Sequence, residues 1–151
     1  MPAASEPEQV LPELPHTWRP LGVRVAAVFF FGMLLVVCVF AWVGFSAEVR
    51  DEFTFWQRLT LIGFGVGIGG TLFALFRSRV TASEDGLVVV NGYRTYRYEW
   101  AQIIAIRMPA GAPWATLDLS DGTIAQVLAL QGSDGERARS GVRVIRALMD
   151  R

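Results

Sequence analysis

Apolar and polar positions divide this chain into two regimes. Between residues 25 and 76 lie two long apolar runs split by one polar connection, and from residue 79 the apolar residues come in short alternating stretches separated by turn residues. The first run, VAAVFFFGMLLVVCVFAWVGF over residues 25–45, holds 21 residues and no charge. At about 1.5 Å per helical residue it spans a hydrocarbon core of about 30 Å. The second run, LTLIGFGVGIGGTLFALF over residues 59–76, holds 18 uncharged residues and just suffices. Two such runs joined by a 13-residue connection predict a transmembrane hairpin over 21–78, with helices at about 24–45 and 58–77. A cleaved leader is a poor description of the first run, which is long and follows a tail containing Glu6, Glu8 and Glu13 where basic residues are expected. That tail, residues 1–20, reads as flexible and Pro-rich. Trp18, Trp42 and Trp56 flank the runs as interfacial aromatic anchors would.

Beyond residue 79 the period shortens to two, the signature of strands. Strands are expected at 80–83, 87–90, 93–100, 103–108, 114–119 and 123–130. Glu84-Asp85-Gly86, Asn91-Gly92 and Asp121-Gly122 supply tight turns, and Pro109 to Pro113 a looser one. Tyr96, Tyr98 and Trp100 fall on one face of the third strand, Arg97 and Glu99 on the other. A helix closes the chain. Ser133 and Glu136 stand at capping-box spacing, with Asp134 near the positive end of the dipole. Ala138, Val142, Ile145 and Met149 make one apolar stripe, with Arg139, Arg143 and Arg146 on the solvated side. The expected fold is therefore a membrane α-hairpin followed, over 79–151, by an antiparallel meander of about six strands and one C-terminal amphipathic helix.

Charge refines the picture without changing it. The 14 basic residues are all Arg and balance 14 acidic ones. A neutral chain lacks the basic footprint of a nucleic-acid binder. The mean hydropathy of +0.37 reflects the two apolar runs. Arg19, Arg24, Arg77 and Arg79 flank the hairpin on its outer ends, against Arg50 and Arg58 in the connecting loop. The positive-inside rule then places both termini, and the β domain, in the cytoplasm. Neither run carries an ionisable residue in its interior, as an ion path or proton relay would require. The hairpin reads as an anchor.

Gly65, Gly67 and Gly70 match the dinucleotide pattern GxGxxG, but mid-membrane there is no strand and no accessible helix N-terminus to hold a phosphate. Gly63/Gly67 and Gly65/Gly69 instead form small-xxx-small faces suited to close helix approach. Packing of Gly63, Gly65, Gly67, Gly69 and Gly70 against the first helix is the preferred reading, ahead of homodimerisation.

The stretch RVTASEDGLVVVNGYRTYRYEWAQIIAI carries a run of the form "R-V-T … G-L … V-x-N … R … W-x-x-I". It appears as Arg79-Val80-Thr81, Gly86-Leu87, Val89-Val90-Asn91, Arg94 and Trp100-Ala101-Gln102-Ile103. With Thr17-Trp18-Arg19-Pro20 and two apolar helices ahead of it, this resembles the bacterial PH-like (pleckstrin-homology-like) domains of actinobacterial membrane proteins. The resemblance implies a PH-like β fold in a multi-pass protein of the bacterial plasma membrane. The strands counted here are fewer than the full-length fold uses, so the barrel is expected to be incomplete or completed by a second copy. The PH loop that reads inositol phosphates corresponds to Ser83-Glu84-Asp85-Gly86, which is acidic and repels phosphate. Phosphoinositide binding is therefore disfavoured.

Catalytic chemistry finds no footing. His16 lies in the N-terminal tail and Cys38 within the first apolar run, which leaves the β domain without either residue type. Ser–His and Cys–His nucleophiles and most zinc sites are excluded there. Asp118 and Asp121 could pair as carboxylates, yet Asp121 is explained by its turn. No cofactor or metal is expected. What remains is a non-enzymatic, membrane-anchored interaction or scaffold module, touching the lipid bilayer and another protein or a second copy of itself. The candidate contact residues are Tyr93, Arg94 and Trp114. An accessory subunit of a transport or envelope-assembly complex, acting through its helices, is the alternative, and a weak anionic-lipid sensor a further one.

Overall fold

Each apolar run forms one unbroken helix in the computed structural model, which describes residues 11–151. In chain order the elements are β1 (His16–Trp18), α1 (Gly22–Gly44), α2 (Ala47–Glu52), α3 (Phe55–Arg77), β2 (Arg79–Ala82), β3 (Gly86–Asn91) and β4 (Arg94–Glu99). After a 3-10 turn at Trp100–Gln102 come β5 (Ile103–Arg107), β6 (Trp114–Leu119) and β7 (Ile124–Gln131), and a second 3-10 turn leads into α4 (Glu136–Met149).

The helices α1 and α3 have 23 residues each, about 34 Å of rise. Thr54 starts α3 three residues before the expected point, because its hydroxyl accepts from Gln57 N–H while the Gln57 side chain accepts from Thr54 N–H. The connection is not featureless: α2 turns it, and Phe53 then packs against Trp42 and Phe45. Phe40 is 75% exposed and Val66 70%, and no residue of either long helix is buried. Continuous apolar exposure on this scale belongs in lipid. The fold class is as expected, a transmembrane hairpin joined to a PH-like β domain.

Among the described residues seven strands form the domain, where about six were expected, so the expected shortfall against the full-length fold is not found. One antiparallel sheet has the order β1-β2-β3-β4 and the other β5-β6-β7. The additional strand comes from the tail that was expected to be flexible: His16, Thr17 and Trp18 pair with Ala82, Thr81 and Val80. Thr17 and Thr81 also join their hydroxyls at 2.9 Å. Leu11 and Leu14 pack on the core as well, while residues 1–10 of that tail lie outside the described residues. Trp18 serves the domain rather than the membrane interface. It lies over Gly141 of α4, where an added Cβ would come within 3.1 Å of the indole. The membrane hairpin is thus an insertion between two neighbouring strands of one sheet.

Inward positions of both sheets and of α4 share one core that includes Val80, Leu87, Ile106, Leu117, Val127 and Ile145. The α4 stripe runs as expected through Ala138, Val142 and Ile145, but ends on Leu148, with Met149 only partly buried. The expected capping box at its start is absent. Gly135 occupies the cap position in a positive-φ conformation, and Ser133 and Asp134 belong to the preceding 3-10 turn.

The glycines of α3 depart from expectation. A Cβ added at Gly63, Gly65, Gly67 or Gly69 would meet nothing within 4 Å, so these residues do not pack against α1. The two helices are joined instead by side chains near their ends, with Arg24 reaching the Phe76 carbonyl and ring and Arg58 lying over Trp42.

Candidate functional site

The β domain is bonded directly to both membrane helices. Asp134 aims its carboxylate at the first residues of α1, accepting from Gly22 N–H at 2.7 Å and Leu21 N–H at 3.0 Å. Helix N-termini leave such N–H groups unpaired and favour negative charge, so a residue 112 positions downstream caps the first membrane helix. Gly22 fits this contact, since a Cβ there would lie 2.9 Å from the carboxylate.

The second attachment involves α3. Ser78, only 1% exposed, donates its hydroxyl to Ala74 C=O and accepts from Gly92 N–H at 3.0 Å. The β3–β4 hairpin turns on Gly92 and Tyr93, with Asn91 opposite Arg94. Gly92 has φ +61°, and Gly at the first central position is the type II′ requirement. The turn therefore sits one residue later than Asn91-Gly92 suggested. Its tip lies along α3, and Tyr93 donates its hydroxyl to the Gly70 carbonyl at 2.6 Å. Gly70 precedes the end of α3 by seven residues, or about 10 Å of rise, so Tyr93 reaches past the helix end toward the membrane interior. Tyrosine is a residue of membrane interfaces. Among the described residues Gly70 is thus the one member of the glycine set with a neighbour, and that neighbour is the β domain.

Arg94 follows Tyr93, is exposed and makes no ion pair among the described residues. Trp114 is half-buried at the start of β6, opposite Gln131. The three expected contact residues thus divide between a hairpin tip at α3 and the second sheet.

Asn91 is the residue that sequence reasoning took for turn chemistry alone. Its side-chain amide donates to Gln126 C=O at 2.6 Å and accepts from Leu128 N–H at 3.1 Å. One amide thereby fastens the first sheet to the edge of β7 that pairs with no strand among the described residues. Beyond it the sheets separate, leaving a cavity of about 280 Å³ whose lining includes Tyr96, Tyr98, Ile124 and Gln126. The rings of Tyr96 and Tyr98 stack at 6.3 Å. Burial, then the neighbouring Tyr96 and Asp121, push the Tyr98 hydroxyl above its usual pKa.

Asp118 and Asp121 each have a partner of their own. Asp118 pairs with Arg107 at 2.6 Å. Asp121 accepts from the Thr123 hydroxyl and N–H, which hold its carboxyl below the usual range. No cluster of His, Cys, Asp and Glu suited to a metal occurs among the described residues. The acidic turn 83–86 lies at the far end of β2 from α3. Trp100 donates its indole N–H to the Ser83 and Glu84 carbonyls there. Gly86 is obligatory at that turn, since a Cβ would sit 2.0 Å from the Tyr98 carbonyl.

Comparison with known proteins agrees with this architecture. Residues 77–148 match the family described as Bacterial PH domain. Uncharacterised proteins of Mycobacterium bovis and Mycobacterium tuberculosis are 28% identical over 137 residues, covering 91% of this chain and 86% of theirs. No solved structure matches the chain. The matched segment starts at the end of α3, so β1 lies outside it.

Proposed function

We propose that this chain, whose residues 77–148 match the Bacterial PH domain family, is a non-enzymatic interaction module held at the cytoplasmic face of a bacterial plasma membrane. The observation that carries this reading is the double attachment of the domain, through Asp134 to α1 and through Ser78 and Tyr93 to α3. A domain on a loose tether samples many orientations, whereas one bonded to both helices presents the same surfaces at a set height above the lipid. That is useful for scaffolding and superfluous for a bare anchor. The phosphate-reading loop of other PH domains corresponds here to an acidic turn at the membrane-distal end, which supports a protein partner over a lipid headgroup.

The test is site-specific photocrosslinking in native membranes from positions 94 and 114, with a reporter fused after Arg151 to establish sidedness. Recurrent crosslinks to one protein, with the reporter cytoplasmic, are expected. A periplasmic reporter, or crosslinks to lipid alone, defeats the proposal.

The open glycine face of α3 favours a second reading, in which the helices themselves engage a membrane complex. Thr60, Gly63, Gly67 and Thr71 line a lipid-facing groove of about 680 Å³ that α1 does not fill. Gly63→Leu with Gly67→Leu should then abolish association while the β domain stays folded. Unchanged association sinks this second reading alone.

A further inference from the structure

We infer that the open seam between β4 and β7 is a docking groove for an extended segment of another membrane protein, apolar along its length and acidic at its membrane end. The inference rests on the interaction-module reading and names the partner's chemistry.

The seam is where the two sheets part, with no strand lying between β4 and β7 among the described residues. Tyr96 lies opposite Val89 and Tyr98 opposite Leu87, so their side chains point with core residues. Tyr96 is nevertheless 37% exposed, because among the described residues β4 pairs with β3 alone and β7 with β6 alone. From Arg94 to Tyr98 the strand rises about 13 Å, the length of a short added strand.

The backbone chemistry of the gap is that of a sheet edge. In an antiparallel ladder the N–H and C=O of one residue point to the same side, and alternate residues point to opposite edges. Asn91 bonds the Gln126 carbonyl and the Leu128 N–H, so residues 126 and 128 face away from β6. Ile124 shares their parity, with regular pairing through 124–127, and faces the same way. The Asn91 amide donates to residue 126 and accepts from residue 128, as the N–H and C=O of one residue in a parallel incoming strand would. An extended peptide continues the pattern on Gln126 N–H and on both backbone groups of Ile124. An acyl chain has no donors or acceptors for these groups.

The walls then select the segment. The stacked tyrosines and the Ile124 side chain, 69% exposed, favour apolar residues. Arg94 shares the face of Tyr96 and Tyr98 by alternation and has no ion-pair partner among the described residues. It offers a charge to an acidic residue at that end. The adjoining Tyr93 is bonded to Gly70 within α3, so a chain leaving the groove past Arg94 emerges at the lipid boundary. A juxtamembrane segment is the partner that meets both conditions.

The full chain in lipid nanodiscs is panned against a phage-displayed octapeptide library, with empty nanodiscs and the Arg94→Glu chain as comparators. Enriched peptides should be apolar with an acid at one end. They should bind Arg94→Glu about five- to tenfold more weakly and slow amide exchange at Ile124 and Gln126. No enrichment over empty nanodiscs, equal binding to Arg94→Glu, or unchanged exchange at those two amides each overturns the inference. So does a photocrosslinker at position 124 that captures a second copy of this chain in native membranes. Partner crosslinks from other positions, with the groove empty, would leave the broader module reading standing.

Discussion

Replacing Asp134 by Ala removes both acceptors that bind the start of α1 to the β domain. The bond to Gly22 N–H is short and partly buried, and a charge-assisted bond of that kind contributes about 1.5–2 kcal/mol. The more exposed bond to Leu21 N–H adds about 1 kcal/mol, in the range measured for N-caps. The loss on Asp134→Ala is thus about 2.5–3 kcal/mol, or roughly a hundredfold in the population of undocked molecules. Asp134→Asn keeps one acceptor oxygen and should lose about 1 kcal/mol. Amide exchange in nanodiscs measures this locally. Leu21 and Gly22 should exchange much faster in the Ala variant and modestly faster in the Asn variant. If Asp134 instead served α4, as its place near that helix first suggests, the protection would be lost at the start of α4 and kept at Leu21 and Gly22. That pattern, or an Ala variant within about 0.5 kcal/mol of the wild type, refutes the cross-domain cap.

Three further perturbations probe other joints. Asn91→Ala leaves the Gln126 carbonyl and the part-buried Leu128 N–H unpaired, and should cost about 2 kcal/mol in denaturant unfolding with faster exchange at Leu128. Gly141→Val drives a side chain into Leu130 and Trp18 and should cost about 1–3 kcal/mol; combining it with Trp18→Ala should cost less than the sum of the single changes, and strict additivity would place Trp18 elsewhere. The Arg143 guanidinium hydrogen-bonds Glu136 and holds its carboxyl below the usual 4.5. A depressed folded-state pKa contributes stability above the unfolded value that is lost as pH falls through the folded one. NMR titration should therefore return Glu136 toward 4.5 in Arg143→Met.

The sequence discloses what is periodic and local. Both membrane helices, the strands from 79 onward and the α4 stripe follow from spacing, because each depends on residues within one or two turns. β1 escaped because three residues amid prolines carry no period, and their partners lie 62 to 66 positions away. Asp134 and Asn91 misled for a related reason. Each stands where a local motif, a helix cap or a hairpin turn, already accounts for it, while its bonds go to elements far along the chain. Gly63 and Gly67 show the reverse: the close-approach motif is plain, but spacing does not say which helix approaches. Of the expected contact residues, Tyr93 and Arg94 were read as the start of the third strand, whereas the place of Tyr93 in the hairpin tip and its bond to Gly70 depend on tertiary placement.

The insertion of the hairpin between β1 and β2 bears on how the molecule is made. β1 leaves the ribosome before either membrane helix, yet its partner strand follows both. The four-stranded sheet is completed only when the chain has crossed the bilayer and returned. A chain whose second helix fails to insert strands β1 and β2 on opposite sides, leaving Val80 and the Trp18 site on α4 uncovered. Completion of the fold thereby depends on successful insertion of both helices.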